Sequence, residues 1–391
     1  MSDSEKQFDL RKVEAVAAWF QGSPRAPFSM ELSPVTACNI NCRFCRKKDE
    51  LADYYSRADD LTDDRWHEVI SEAVSMGTRK LLFRGGGEPG LKRRLLMRLF
   101  PLIRKEGLSC TLLTNGTLID ERMAEGFVLS GWEEIIVSLH GGDSETHDYI
   151  TDQPGSFDKV DRSLHWVNHF KEKHRSETPR LSFHVVLTRR SYQGLGKVIE
   201  FGAKHHVGSI GVFPMHNVPY EIFTRDLKMT AQDDLLYRSL IPGYQQRIES
   251  CGMGHDFQLA YQGPASAEKP APAPALAKPP SAPDNLPAEA RLPCYFPWHH
   301  AAITPNGFIA PCCYGEGQQT KGDLHRVSFK EAWLAQDMGE VRQTMLQGGL
   351  MPYCERCPNW YQDDNRRLRR LFSEPKTLGE KTSAAALREV F

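Results

Sequence analysis

The 391-residue chain lacks any apolar run approaching the roughly 18–20 residues that a helix needs to cross a bilayer, so no membrane partner is expected. It also lacks the apolar h-region of a secretory signal: the opening MSDSEKQFDLRK is polar and acidic, and a cytoplasmic location is expected. Charge of one sign is missing too. Lys and Arg number 49 against 50 Asp and Glu, a net charge of −1, which argues against binding nucleic acid by bulk charge. Ten cysteines in 391 residues fall far below the density of a disulfide-stapled scaffold. What remains is an ordinary globular composition, 25% charged, long enough for about two domains.

The cysteines that are present are unevenly placed. Cys38, Cys42 and Cys45 share one short segment, and Cys294, Cys312, Cys313, Cys354 and Cys357 lie toward the C-terminus, leaving only Cys110 and Cys251 isolated. Tight cysteine groups in a chain without an export signal read as metal or redox sites. The segment Gly263–Pro293 differs from everything around it, with nine Pro and nine Ala in 31 residues. It carries too little large apolar surface to offset its ordering entropy and reads as a semi-extended linker. The expected organisation is an N-terminal extension (1–27), a large domain (28–262), the linker (263–293), a cysteine-rich domain (294–372) and a flexible tail (373–391).

The large domain alternates strand-like and helix-like stretches. Short apolar or β-branched runs at 28–35, 80–83, 109–113, 134–139, 181–188 and 209–213 are separated by amphipathic segments such as 63–76, 93–106, 121–130, 159–171 and 196–205. Six β/α units in succession predict an α/β fold with a parallel sheet, closed or partly closed as a (β/α)6 TIM-like barrel. The segments after the first four strands are TACNINCRFC, RGGGEPG, TNG and SLHGG. Barrels of this kind place their sites at the C-terminal ends of the strands, so these four segments are expected on one face.

Cys38, Cys42 and Cys45 have the spacing C-x3-C-x2-C. Three thiolates on a short loop can hold three corners of a cubane iron–sulfur cluster and leave one iron open for chemistry. A closed zinc site wants four ligands, and no fourth lies near. With Phe44 before the last cysteine, this motif resembles the radical S-adenosylmethionine (SAM) superfamily. The resemblance implies a 4Fe-4S cluster on these cysteines, SAM chelated to the open iron, reductive cleavage to a 5′-deoxyadenosyl radical, and hydrogen abstraction from a substrate. Gly86-Gly87-Glu88-Pro89 resembles the family's GGEP motif, and Glu88 is expected to accept from the ammonium of the SAM methionine. Ser138 resembles the position that contacts the SAM ribose or carboxylate, and Arg162 a helix-start arginine near SAM. The family's Asp is replaced here by His140, whose role stays open. Asn115 reads as turn chemistry.

At the C-terminus, Cys294, Cys312, Cys354 and Cys357 suit either a zinc site or a second iron–sulfur cluster on ligand count. Their surroundings, CYFPWHHAAITPNGFIAPCCYG and YCERCPNW, resemble the SPASM domain. That resemblance implies one auxiliary 4Fe-4S cluster, fully liganded, with Cys313 a spare thiol and Trp298, His299 and His300 as candidate shielding. Cys251 is a candidate hydrogen donor to a substrate radical, against a plain small apolar residue; Cys110 belongs to the core. The whole reading is an oxidoreductase-type enzyme that oxidises, crosslinks or epimerises a small polar, sugar- or aminoglycoside-like molecule. The small-molecule choice rests on there being only about 27 residues before the first strand. Rival readings are a peptide- or protein-modifying maturase and a non-catalytic zinc-binding interaction protein. An external electron donor such as flavodoxin or ferredoxin is implied.

Overall fold

The structure, a computed structural model, describes residues 3–45, 59–215, 226–257, 292–313, 322–357 and 359–373. The expected linker, apart from 292–293, and the expected tail, apart from Ser373, lie outside the described residues. The fold is mixed α/β, with nine mostly parallel strands among the described residues. It forms two compact units, Met1–Leu32 with Glu68–Leu81 and Ser266–Phe391, and Ser33–His67 with Leu82–Ala265. Among the described residues no helix is long and apolar enough to cross a membrane.

In the first unit, helix α1 (Asp3–Phe20) is followed by strand β1 (Ser29–Leu32). The residues expected as an N-terminal extension therefore include a helix, and its apolar side gives the reason for its place. Val13 and Val16 are buried with Leu292, Tyr295, Trp298, Val341, Met345, Leu368 and Phe372 in one core. That order buries an apolar stripe which α1 cannot bury alone. Helix α2 (Asp63–Met76) opens on two acidic residues, favourable at a helix N-terminus. Strand β2 (Lys80–Phe83) follows it.

The second unit carries the alternation seen in the sequence: α3 (Arg93–Glu106), β3 (Ser109–Thr114), α4 (Glu121–Ser130), β4 (Glu134–Ser138), α5 (Ser144–Thr151), α6 (Ser156–His174), β5 (Arg180–Leu187), α7 (Leu195–Lys204) and β6 (Ser209–Pro214). The six expected strands and five expected helices are all present, within a few residues. Helix α3 buries Leu95, Leu96, Leu99 and Ile103, a helical-period stripe, and stops at Gly107, whose φ of +60° suits a residue without Cβ. Helix α4 starts where the Asp120 side chain accepts the Met123 N–H. Strands β3 to β6 pair in parallel in sequence order. Beyond them come α8 (Ala231–Ser250) and β7 (Gly254–Phe257), which adds in parallel to β6 with Ser209 opposite Gly254.

Alternation along these strands separates two faces. Ile135, Val137, Phe183, Val185, Ile210 and Val212 are buried on one, while Glu134, Ser138, His184, Ser209 and Phe213 are half-buried on the other. Cys110 is fully buried, as a core residue should be.

The first unit closes with α9 (Phe296–His299), β8 (His300–Ile303), β9 (Ile309–Ala310), α10 (Phe329–Leu334), α11 (Gln336–Leu346) and α12 (Asn359–Ser373). Strand β8 pairs in parallel with β1 and antiparallel with β9. Arg342 is buried between the rings of Trp19 and Trp333, 4.0 and 4.4 Å from their centroids, and donates to the carbonyls of Pro297 and Trp333. Burial pulls its pKa down to about 9.

Candidate functional site

All four motif segments meet in the second unit. Gly87 N–H donates to the Val35 carbonyl at 2.6 Å, and Glu88 N–H to the Ala37 carbonyl at 2.9 Å, which seats the GGEP turn against the start of the cysteine loop. A Cβ on Gly87 would stand 1.7 Å from the Ala37 oxygen, so only glycine fits. Gly86 has φ +61°. Pro89 opens the short 3-10 turn Pro89–Lys92.

Glu88 is held inside the fold. Its side chain is 2% exposed, and three donors inside the fold already occupy it. Oε1 accepts from Gly90 N–H at 2.8 Å and the Thr114 hydroxyl at 2.5 Å, and Oε2 accepts from Asn115 N–H at 2.7 Å. These three bonds use three of the carboxylate's four lone-pair sites and pin the TNG turn to the GGEP turn. Burial pushes its pKa up against the pull of those three hydrogen bonds.

Asn115 does more than turn. Its Oδ1 accepts from Thr117 N–H and hydroxyl at 3.0 and 2.7 Å, the expected turn chemistry. Its amide nitrogen donates to Asn39 Oδ1 at 2.9 Å and faces Cys38 Sγ at 3.9 Å. The sequence signal was present in TNG, but the partners lie far off in the chain.

The cysteine loop is also held from α5. Asn41 N–H and Arg43 N–H donate to the carbonyls of Thr151 and Ile150. Arg43 donates from Nε to the Tyr149 carbonyl at 2.8 Å, pairs with Asp152 at 2.7 Å, and lies 4.3 Å over the Tyr149 ring. Arg190 also lies 4.3 Å from that ring's centroid, and the Tyr149 hydroxyl donates to Asp226. Phe44 meets His140 edge to face at 4.9 Å. His140 in turn donates its backbone N–H to His147 Nδ1 and accepts Val186 N–H at its own Nδ1. Burial holds both imidazoles well below their ordinary range, His147 down to about 4. Sequence reasoning missed Tyr149, Asp152 and His147. The capped start of α5, where Asp143 accepts Thr146 N–H, was the signal that a helix stood there.

Other expected residues are placed less centrally. Ser138 ends β4 opposite His184, with no hydrogen bond from its hydroxyl among the described residues. Arg162 lies in the second turn of α6, and no hydrogen bond or ion pair ties it to the cysteine loop among the described residues. Cys251 is exposed at the C-terminal end of α8, just before β7. The strands run parallel, so it sits at their N-terminal edge, whereas the motif segments follow strand C-termini. That topology removes the expected hydrogen-donor role.

In the first unit, Cys294, Cys354 and Cys357 influence one another electrostatically, and Tyr353 feels Cys312, Cys354 and Cys294. Burial pushes the Cys294 and Cys357 thiols up to about 12 and about 11. Cys294 and Cys354 pack on the apolar core that holds Val16, Trp298 and Leu368. Cys313 is differently engaged. Its sulfur lies 3.2 Å from the Tyr361 hydroxyl, which donates its one proton to buried Glu31 at 3.0 Å. That contact ties Cys313, and not Cys312, to the Tyr361–Glu31 pair. His299 is buried and kept neutral, its pKa pulled down to about 3 by burial.

Both groups of thiols are free of disulfides. Among the described residues no three His, Cys, Asp or Glu side chains converge as donors to one metal ion. A cubane does not need such convergence, since each thiolate binds a different iron. Soft donors on a loop cradled by Gly87, with an amide aimed at one sulfur, fit a cluster.

Comparison with known proteins agrees. Residues 32–202 match the Radical SAM superfamily and residues 294–358 the SPASM iron–sulfur cluster-binding domain. The AdoMet-dependent heme synthase of Methanosarcina barkeri is 32% identical over 135 residues, 34% of this chain and 37% of that protein. The chain thus spans little more than a third of that relative's length. Streptococcus suis SuiB superposes with TM-score 0.56 at 18% identity, covering 88% of this chain and 74% of SuiB. The structure of anSMEcpe with AdoMet and the Cp18Cys peptide gives TM-score 0.55 at 15% identity, covering 93% and 99%. These domains bring a SAM-binding 4Fe-4S cluster, auxiliary iron–sulfur and SAM as cofactors. The chain carries a radical SAM superfamily domain over residues 32–202 and a SPASM iron–sulfur cluster-binding domain over residues 294–358.

Proposed function

We propose that this enzyme removes a hydrogen atom from a small polar, hydroxyl- or amine-bearing substrate, leading to oxidation, crosslinking or epimerisation. In this reading Cys38, Cys42 and Cys45 hold the SAM-binding cluster, and Cys294, Cys312, Cys354 and Cys357 hold one auxiliary cluster. The chemistry supplied by the bound cofactors is reductive cleavage of SAM. The chain's own residues seat the cysteine loop: Gly87 allows the close approach, Glu88 fixes Asn115, and Arg43 and Phe44 are gripped by Tyr149 and His140. An external one-electron donor of the flavodoxin or ferredoxin kind and a cytoplasmic setting complete the proposal.

One observation carries the substrate class. Toward the C-terminal ends of the strands the half-buried face carries Ser138, the last residue of β4, opposite His184 of β5. His184 stacks on Phe213 with ring centroids 4.4 Å apart on the same face. A hydroxyl beside a pair of stacked rings suits a polar, hydroxylated molecule. A peptide substrate is the second reading, supported by the likeness in fold to SuiB, which has also been crystallised with its precursor peptide SuiA.

The test is anaerobic reconstitution followed by SAM cleavage assays with deuterated sugars, aminoglycosides and peptides. About eight iron and eight sulfide per chain and deuterium in 5′-deoxyadenosine from one of the first two classes are expected. Label from peptides alone would move the assignment to a maturase, and a colourless protein holding only zinc would end the iron–sulfur reading.

A further inference from the structure

We propose that the Asn115 carboxamide is a hydrogen-bond donor to the Cys38 sulfur and raises the reduction potential of the cluster held there. The proposal rests on the assignment of Cys38, Cys42 and Cys45 as cluster ligands.

The orientation of the amide is settled by its neighbours. An Asn side chain offers two N–H donors and one oxygen with two lone pairs. Here the oxygen takes both donors of Thr117, its backbone N–H and its hydroxyl. The nitrogen faces two acceptors, Asn39 Oδ1 at 2.9 Å and Cys38 Sγ at 3.9 Å. A flipped amide would set its oxygen against Asn39 Oδ1 and the sulfur, and its N–H groups against the donors of Thr117. All four hydrogen-bonding positions of the carboxamide are therefore assigned.

The support around it is as complete. Asn39 Nδ2 donates to Thr117 Oγ1 at 2.8 Å, which closes a ring of three side chains. Glu88 holds the Asn115 backbone N–H at 2.7 Å. Asn115 is 7% exposed, so water competes little for its donors. Turn formation accounts for the oxygen and leaves the aim of the nitrogen without a purpose. A hydrogen bond to a cluster sulfur favours the more negative, reduced state, and such bonds are among the terms that set cluster potentials.

The experiment is an EPR-monitored redox titration of the anaerobically reconstituted full chain. The signal that changes when SAM is added identifies the cluster with the open iron. Asn115→Asp keeps an acceptor for Thr117 and loses the donor; Asn115→Ala loses the donor without adding charge. Thr117→Val keeps the donor and removes part of the turn. We expect both Asn115 variants to shift the one-electron reduction equilibrium about tenfold toward the oxidised form, about 59 mV more negative. Thr117→Val, which loosens the ring of three side chains but leaves the amide donors in place, should shift the equilibrium less than either Asn115 variant. A wild-type potential in Asn115→Ala, or an equal shift in Thr117→Val, overturns the proposal. So does a failure of both Asn115 variants to retain iron, which would make the amide a structural part of the loop. A wild-type protein with no SAM-responsive signal would instead defeat the cluster assignment, and the proposal with it.

Discussion

Glu88 holds Asn115: the Glu88 Oε2 accepts the Asn115 backbone N–H at 2.7 Å, inside a carboxylate already shared with Gly90 and Thr114. Replacing one oxygen by an amide in Glu88→Gln leaves at least one buried N–H or hydroxyl facing a donor. The expected loss is about 1–3 kcal/mol of unfolding free energy, because an unsatisfied buried donor keeps its full desolvation penalty. Denaturant unfolding of Glu88→Gln beside the wild type checks this. An unchanged midpoint with abolished SAM binding would make Glu88 a ligand of SAM and not a clamp on the turn.

Tyr149 receives a guanidinium on its ring from Arg43 and another from Arg190, each 4.3 Å from its centroid. Arg43 lies between Cys42 and Cys45, so the ring steadies the cysteine spacing. Tyr149→Phe keeps both stacks and loses only the bond to Asp226; Tyr149→Leu loses the stacks. Each partly exposed cation–π contact contributes about 0.5–1 kcal/mol. Iron loss to a chelator should therefore quicken about tenfold in Tyr149→Leu and stay within about twofold in Tyr149→Phe. Equal rates in the two variants would show that the ring has no such part.

Much of this was legible in the sequence because the signals were local. Strands such as Glu134–Ser138 and helices such as Arg93–Glu106 follow from apolar periodicity and capping, and the cysteine spacings are themselves local. The misreadings share a different cause. The clamp that Glu88 places on the TNG turn was hidden because its partners Thr114 and Asn115 are 26 and 27 residues away. Asn115 looked like a turn residue because its contact with Cys38 spans 77 residues. Cys251 looked usable because the polar strand Gly254–Phe257, which fixes its edge of the sheet, has no strong strand pattern. Burying Val13 and Val16 of α1 beside Leu368 and Phe372 is likewise a tertiary choice that periodicity alone does not reveal.

Cys312 and Cys313 are adjacent in sequence and separable by chemistry. The Cys313 sulfur lies 3.2 Å from the Tyr361 hydroxyl, which is bonded to Glu31 at 3.0 Å, and this engagement favours Cys312 as the ligand. Cys312→Ala should lower iron from about eight to about four per chain, by loss of one cubane. Cys313→Ala should keep about eight. Iron and sulfide analysis after anaerobic reconstitution decides it, and the reverse pattern would assign Cys313 as the ligand.

His147 makes stability depend on pH in a stated direction. Burial lowers its pKa from 6.5 to about 4, while its Nδ1 accepts the His140 N–H. Between those values the unfolded chain binds the proton and the folded chain does not, so stability falls as the pH drops below about 6.5. At one pKa unit per 1.36 kcal/mol, His147 alone removes roughly 3 kcal/mol by about pH 4. His140, also held neutral by burial, acts in the same direction. Denaturant unfolding from pH 7.5 down to 5 should show this decline, and His147→Gln, which keeps an acceptor for His140, should flatten it. A decline of equal slope in His147→Gln would show that other groups set the acid sensitivity.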